Sequence, residues 1–206
     1  MHRNLNRFAL AFGIPMCVRV SMCLCLLLAA DAAVAEPVVY QLDTEASFIH
    51  FEVLHFGTST LRGRIGPVQG QVTLDRAAGS GELGLTIPMT SADTGLKPLD
   101  SVLRRRDLLN TAEFPEAWFV ARNFRFEAGQ PSELRGELTF RGVSAPLSLK
   151  AIRFACRQPP EVAREVCGGD FETTLLRSEF GAGGYVPLVA DQVRLRVQVE
   201  GARVAP

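Results

Sequence analysis

The fold is decided by residues 40–75, which read YQLDTEASFIHFEVLHFGTSTLRGRIGPVQGQVTLD. Successive side chains of a β-strand point to opposite faces. One face of the central strand would carry Ile49, Phe51, Val53 and His55, and the other Phe48, His50, Glu52, Leu54 and Phe56. A half-buried strand has one apolar face and one wet face, whereas both faces here hold large apolar groups. Such a strand suits a wall between two apolar compartments, and a β-barrel that encloses a ligand provides one.

The rest of the chain consists of short alternating segments separated by turn residues, a pattern typical of an antiparallel all-β domain. We predict further strands at residues 68–75, 83–89, 117–126, 133–140, 147–154, 171–180 and 192–204. About eight strands of this length are what a small closed barrel needs. Residues 96–110, LKPLDSVLRRRDLLN, instead have apolar side chains at helical spacing, so we predict one short helix among the strands.

Residues 1–35 are predicted to be a secretory signal. Arg3, Arg7 and Arg19 precede or flank an apolar run at 20–30, and Ala33-Val34-Ala35 forms a small-residue cleavage site. The apolar run is well short of the roughly 20 residues that a membrane-spanning helix needs. Cleavage after Ala35 would leave residues 36–206 as one mature domain in the periplasm or outside the cell, and a retained anchor is the alternative.

Charge and cysteine content narrow the range of expected partners and predict a disulfide. Residues 36–206 hold 19 basic and 21 acidic residues, a net charge of −2. No basic excess is available to neutralise phosphates, so we expect no nucleic-acid partner. The charges are scattered, so no polybasic membrane patch is expected either. Cys156 and Cys167 are the two cysteines left after cleavage, and in an exported chain they most simply form one structural disulfide.

The sequence carries no recognisable catalytic or cofactor motif. His50 and His55 are five residues apart on one strand and point to opposite faces, whereas zinc needs three or four converging ligands, so no metal is expected. The glycine pattern at 79–84 is followed by a strand rather than a helix, which argues against a dinucleotide cofactor. No Gly-x-Ser-x-Gly elbow is present. We therefore expect a protein that is not an enzyme, although triads are recognised by geometry rather than by sequence order.

Histidine and arginine side chains are the candidates for polar contacts. His55 either is satisfied by a backbone carbonyl at the barrel rim or donates to the polar head of a ligand. One of the arginines at 104–106 could be aimed inward by a helix lying over the barrel mouth. Arg177 would need an anionic partner if its face is interior, because an unpaired buried charge is costly.

Several motifs together resemble those of the YceI-like family, exported bacterial lipocalin-like proteins associated with polyisoprenoid binding. The resemblance covers nearly all of residues 36–206. The motifs are Tyr40-x-Leu42-Asp43; Ser47-x-Ile49-x-Phe51-x-Val53-x-His55-x-Gly57; Gly63, Gly70 and Asp75; Asp100, Leu103, the run 106–110 and Phe114-Pro115; the run 136–143, GELTFRGV; the run 177–181, RSEFG; and Val189-x-Asp191-x-Val193-x-Leu195. Where members of the family often carry histidine, this chain has Ala46 and Val102.

The resemblance implies an all-β fold: an eight-stranded antiparallel lipocalin-like barrel with one short helical insertion and a long isoprenoid chain in its lumen. It also implies that the face with Ile49 points inward. Phe48, Leu54 and Phe56 would then be outward residues packed under the helix or a loop.

We therefore predict an exported carrier of a long-chain isoprenoid or similar amphiphile. The predicted tail contacts are Ile49, Phe51, Val53, Leu85, Ile87, Phe119, Leu138 and Phe140, and the predicted head-group contacts are His55, Arg106 and Arg177. One alternative is a hydrolase of lipid or isoprenoid esters that uses His55 as its base. Another is a stress-response or electron-transfer accessory without a stable lipid. A homodimer is the further partner considered, because exposed barrel edges can pair.

Overall fold

The computed structural model of this chain describes residues 36–160 and 163–205, so the predicted signal at 1–35 lies outside the described residues. These residues form ten strands and one α-helix. The strands are β1 Val38–Leu42, β2 Phe48–His55, β3 Ser59–Ile65, β4 Gln69–Asp75, β5 Ser80–Pro88, β6 Glu116–Glu127, β7 Gln130–Phe140, β8 Val143–Arg157, β9 Val166–Leu176 and β10 Val189–Arg203, and the helix is α1 Lys97–Leu103. Among the described residues, no helix has the length and apolarity to span a membrane.

The strands close into a barrel in which every pairing is antiparallel. The order around it is β1-β4-β5-β6-β7-β8-β9-β10, and β10 then pairs with β1. The first half of β10 pairs with β2, and β2 pairs with β3. Thus β1 and β2 both pair with β10 and together take the place of one strand in the barrel wall. β4 pairs with β1 and β3 with β2, so β3 and β4 together take the place of the next strand. The predicted eight-stranded barrel with one short helix is confirmed.

Alternating apolar residues explain why the strands face as they do. On β2, Ile49, Phe51 and Val53 are buried inside the barrel, as the resemblance implied. β3 allows this because Gly63 lies opposite Phe51, where an added Cβ would be 2.2 Å from Phe51 Cζ. Glycine at position 63 leaves the space over β3 free for the Phe51 ring.

The opposite face of β2 departs from the prediction. Phe48 is partly covered, with the Arg64 guanidinium 4.5 Å from its ring centre. Leu54 and Phe56 are not packed under a helix or loop; they are 47% and 52% exposed. The prediction was wrong for these two residues because the helix lies over the barrel opening rather than outside β2.

The helix is shorter than the predicted 96–110 and ends at Leu103. After it the chain forms turns: the Leu109 amide donates to the Leu103 carbonyl at 2.9 Å, and the Asn110 amide to the Arg105 carbonyl at 2.9 Å. Asn110 has a φ of 49°, in the left-handed region that asparagine tolerates, and this reverses the chain. The apolar spacing indicates which side chains face the barrel, and these turns keep that face without a continued α-helical hydrogen-bond pattern.

The two ends of the barrel carry different connections. The end that we call closed has the turns at 76–79 and 128–129 and the segment between β8 and β9. The predicted disulfide is present there and joins Cys156 to Cys167, which pair across β8 and β9. The end that we call open has the β2–β3 hairpin, the segment 89–115 with α1, and the long connection before β10.

Candidate ligand-binding site

A cavity of about 240 Å³ lies inside the open end of the barrel. Its walls come from β2, β3 and β5 to β7, from β9 and β10, and from the segments at 99–109 and 182–185. The lining residues are Ile49, Phe51, Val53, His55, Phe56, Leu61, Ile65, Ile87, Met89, Leu99, Val102, Leu103, Leu108, Leu109, Ala117, Leu138, Phe140, Leu175, Arg177, Ala182, Gly184, Tyr185, Val189, Val193 and Leu195. Nearly all of these side chains are aliphatic or aromatic, so the cavity offers hydrocarbon contacts rather than hydrogen bonds.

Six of the eight predicted tail contacts line this cavity: Ile49, Phe51, Val53, Ile87, Leu138 and Phe140. Leu85 instead lines a second cavity, of about 40 Å³, at the closed end. Phe119 is buried in the core and lines neither cavity. The alternation of β5 and β6 predicts that both residues point inward but not at which height in the barrel they lie. A ligand role for all eight residues stays a prediction.

The helical insertion contributes lining residues that the sequence analysis did not include. Leu99, Val102 and Leu103 of α1 face the cavity, followed by Leu108 and Leu109. Their helical spacing was visible in the sequence and would have identified them. Spacing alone, however, leaves open whether a helix packs over the barrel mouth or against the outer wall.

The Arg177 side chain is buried and does not need the anionic partner that the sequence predicted. Its guanidinium donates to four backbone carbonyls, those of Ala182, Gly184, Val189 and Ala190, with distances of 2.8 Å to Gly184 and 2.9 Å to Val189. Burial lowers the pKa of Arg177, and the charge of Asp191 opposes this shift. The guanidinium therefore holds the connection before β10 in place, with four of its five N–H groups donating to these carbonyls.

A second arginine, Arg141 in the β7–β8 turn, holds the segment that follows α1. Its Nη1 donates to the carbonyls of Arg106, at 2.9 Å, and of Leu108. The Arg106 side chain itself is exposed and does not line the cavity. The structure thus gives no support to a head-group contact by Arg106, and it identifies Arg141 as an arginine that the sequence analysis missed.

His55 lies at the mouth of the cavity, at the last position of β2 and opposite Val189 of β10. Its ring packs edge-on against Phe56, with ring centres 4.4 Å apart. Within the described residues no hydrogen bond to the His55 ring is found, so the predicted backbone carbonyl partner is not seen there. No carboxylate or hydroxyl activates this ring in the described part of the chain.

The cover formed by α1 is fixed by a buried carboxylate. Asp100 Oδ1 accepts hydrogen bonds from the Thr94 amide and the Thr94 hydroxyl, each at 2.8 Å. These hydrogen bonds, the backbone one foremost, lower the pKa of Asp100. The ionised carboxylate therefore ties the start of the helix to the segment before it.

At the closed end, Cys156, Glu165 and Cys167 lie close enough together to resemble a metal site. Both sulfurs belong to the disulfide, and Glu165 accepts hydrogen bonds from the Tyr40 hydroxyl at 2.6 Å and from Arg76 at 2.7 Å. Burial and the hydrogen bond to Glu165 raise the pKa of Tyr40 to about 12. The cluster is therefore a structural tie between β1, the β4–β5 turn and β9.

A closed antiparallel barrel with an apolar cavity under a short helical cover defines a lipocalin-like class of binding protein. The model of the YceI-like domain matches residues 40–201, and the chain belongs to this family. The predicted family is confirmed.

Known proteins of the family are similar over most of their length. Protein YceI of Escherichia coli O157:H7 is 29% identical over 181 residues, covering 86% of this chain and 93% of that protein. BcnA of Burkholderia cenocepacia superposes with a TM-score of 0.63 at 22% identity, covering 77% of this chain and 98% of BcnA. A polyisoprenoid binding domain from Saccharophagus degradans superposes with a TM-score of 0.54 at 16% identity, covering 81% and 99%.

Proposed function

We propose that this chain is an exported carrier that holds the apolar tail of an isoprenoid-like amphiphile in the open-end cavity. The observation that carries the proposal is the chemistry of the lining: hydrocarbon side chains surround about 240 Å³, and the one buried guanidinium there already donates to four carbonyls. A tail with polar groups would leave them without partners, which is costly in such a site.

The family supports the ligand class. The Saccharophagus degradans domain is a polyisoprenoid binding domain, and its fold is that of this chain. An isoprenoid tail is a branched hydrocarbon, which suits walls made of leucine, valine, isoleucine and phenylalanine side chains. Each buried methylene would contribute about 0.8 kcal/mol to binding.

The size of the cavity bears on tail length. Ligand pockets usually measure about 300–1,000 Å³, and this cavity is slightly smaller, at about 240 Å³. Leu85 and Phe119 lie beyond it toward the closed end. A long isoprenoid would therefore fill the cavity and either displace these side chains or extend out of the mouth, whereas a short one would fit without rearrangement.

The proposal places the head group at the mouth. His55 is the side chain there whose ring has donor or acceptor capacity unused by the described residues. Arg177 would contribute through its one N–H that the four carbonyls do not use, or by exchanging a carbonyl partner for the head group.

Export is part of the same proposal. The basic, apolar and small-residue segments at 1–35 support secretion, and the Cys156–Cys167 disulfide supports an oxidising compartment. We place the mature domain in the periplasm. Mass spectrometry of the protein from separated cell fractions would test this by finding Glu36 as its first residue in the periplasmic fraction.

Organic extraction of the purified protein followed by mass spectrometry tests the ligand. We expect one long-chain lipid per protein molecule. Val193→Phe adds a ring to the cavity wall and should abolish lipid recovery, whereas Val120→Phe, at an exposed site on β6, should leave it unchanged.

Two outcomes would replace the proposal. Turnover of an added lipid ester that disappears in His55→Ala would favour the hydrolase. Extraction that yields no lipid, together with no uptake of added isoprenoid, would favour the accessory without a ligand.

A further inference from the structure

Four large apolar side chains stand exposed around the mouth of the cavity. We call Phe56, Tyr185, Val186 and Leu188 the mouth rim; they are 52%, 44%, 40% and 57% exposed. The Phe56 amide donates to the Leu188 carbonyl at 2.8 Å, which joins the β2–β3 hairpin to the connection before β10. The rim is therefore one continuous surface made from two distant segments. Exposed apolar patches of this kind mark interaction sites.

Both aromatic residues of the rim are held in an unusual backbone conformation. Phe56 has a φ of 49° and Tyr185 a φ of 66°. Large side chains rarely adopt positive φ, and such strain persists where the surrounding structure enforces it. The fold thus keeps two aromatic rings beside the cavity opening at some cost in stability, and both rings also line the cavity.

Positive charge lies next to the rim. Arg104, Arg105 and Arg106 follow α1 directly and are exposed, so this end of the barrel has a local basic cluster although the scattered charges of the whole sequence predicted no polybasic patch. Arg105 reaches the rim, since its Nη1 donates to the Tyr185 hydroxyl at 3.1 Å. Asp107 pairs with Arg105 at 3.3 Å. The segments 54–61 and 181–190 contain no acidic residue, although residues 36–206 as a whole have a net charge of −2.

We propose that the mouth rim and the three arginines form a docking surface for an anionic lipid bilayer. Aromatic rings favour the membrane interface, exposed apolar side chains gain by insertion below the headgroups, and arginines are attracted to anionic lipids. A bilayer explains all three features together with their position, because the cavity opens through the same surface. Transfer of a lipid between bilayer and cavity rests on the proposed function, but docking does not.

Vesicle co-sedimentation tests the docking surface. The mature protein should bind vesicles of phosphatidylglycerol and phosphatidylcholine, bind pure phosphatidylcholine at least tenfold more weakly, and lose affinity as salt rises. Arg104→Gln with Arg105→Gln should weaken binding about 30-fold, since each basic residue near an anionic surface contributes roughly a factor of five. Leu188→Asp should also reduce binding at least tenfold.

Matched variants on the outer wall separate a surface effect from general damage. Ile152→Asp replaces an exposed apolar residue of β8, at 51% exposure, and Arg122→Gln with Arg196→Gln removes two exposed charges elsewhere. These variants should bind anionic vesicles as the wild type does. Equal losses in both sets, or no binding by the wild type, would overturn the proposal.

Two further results separate this inference from its alternatives. Self-association that Leu188→Asp abolishes, without vesicle binding by the wild type, would assign the rim to a second copy of the chain and overturn the proposal. Lipid delivered in detergent micelles bypasses docking, so Leu188→Asp should still retain it. Vesicle binding by a protein that retains no micellar lipid would uphold the docking surface while overturning the carrier function.

Discussion

At the closed end of the barrel a group of three side chains bind one another, whereas at the open end two arginines bind the backbone. Tyr40, Arg76 and Glu165 form one hydrogen-bonded group beside the disulfide, and the cavity there measures about 40 Å³. At the open end Arg141 and Arg177 donate to carbonyls of the connecting segments, and the cavity measures about 240 Å³. Because these two arginines bind the backbone of the connecting segments, the cavity beside them keeps an apolar lining and is not filled by side chains. We therefore expect the closed end to contribute more to the stability of the fold, and the open end to provide the space for a ligand.

The largest expected effects on the free energy of unfolding come from truncating two leucines on the inner face of β7. Leu134 lines the small closed-end cavity and Leu138 the larger one. We expect Leu134→Ala to lower the free energy of unfolding by about 2–5 kcal/mol. Leu138→Ala should lower it by about 1 kcal/mol less, because part of that side chain already borders empty space and has fewer contacts to lose. Urea unfolding of ligand-free protein measures both, and equal losses would show that the ends are packed alike.

The disulfide should contribute to the stability of the fold without affecting lipid uptake. Cys156→Ser with Cys167→Ser opens the link between β8 and β9 and should lower the free energy of unfolding by about 2–3 kcal/mol. Lipid uptake should be unchanged, since neither cysteine lines the open-end cavity. Denaturant unfolding and the extraction assay on the same samples measure both quantities. A loss of uptake in the folded variant would contradict the separation of the two ends.

Tyr40 should make stability depend on alkaline pH. Its pKa is about 12 in the folded protein, above the ordinary tyrosine value of 10.0. The neutral phenol therefore stabilises the fold fully below pH 10, and this contribution is lost as pH rises toward 12. Tyr40→Phe should lose about 1 kcal/mol at neutral pH and show a flatter alkaline profile in unfolding measured at pH 7 to 11. An alkaline profile in Tyr40→Phe as steep as that of the wild type would contradict this assignment.

Relief of backbone strain at the mouth rim should give the smallest effect and the opposite sign. Phe56→Gly places a residue that tolerates positive φ at 49° and should raise the free energy of unfolding by about 0.5–1 kcal/mol. Leu54→Gly, in the extended part of β2, should instead lower it by about as much. Thermal unfolding compares the two variants. A lower melting temperature for Phe56→Gly would show that packing of the ring outweighs the strain.

The sequence alone determined the kind of wall, because strand alternation is a local property with a period of two residues. It identified Ile49, Phe51 and Val53 as one inward face once the family was recognised, and it predicted one short helix over 96–110, of which the structure forms Lys97–Leu103. The disulfide followed from having two cysteines in the part of the chain predicted to be exported.

Tertiary structure decided everything that depends on position along the barrel axis. Leu85 and Phe119 have the inward alternation of Leu138, and Phe119 pairs directly with Leu138 and with Leu85, yet Leu85 and Phe119 lie outside the open-end cavity. The partners of Arg177 are carbonyls that only the turn after β9 brings together. The mouth rim joins residues about 130 positions apart through one backbone hydrogen bond. No local pattern encodes the contact between Phe56 and Leu188, because it forms only when the closed sheet brings distant segments to the same end.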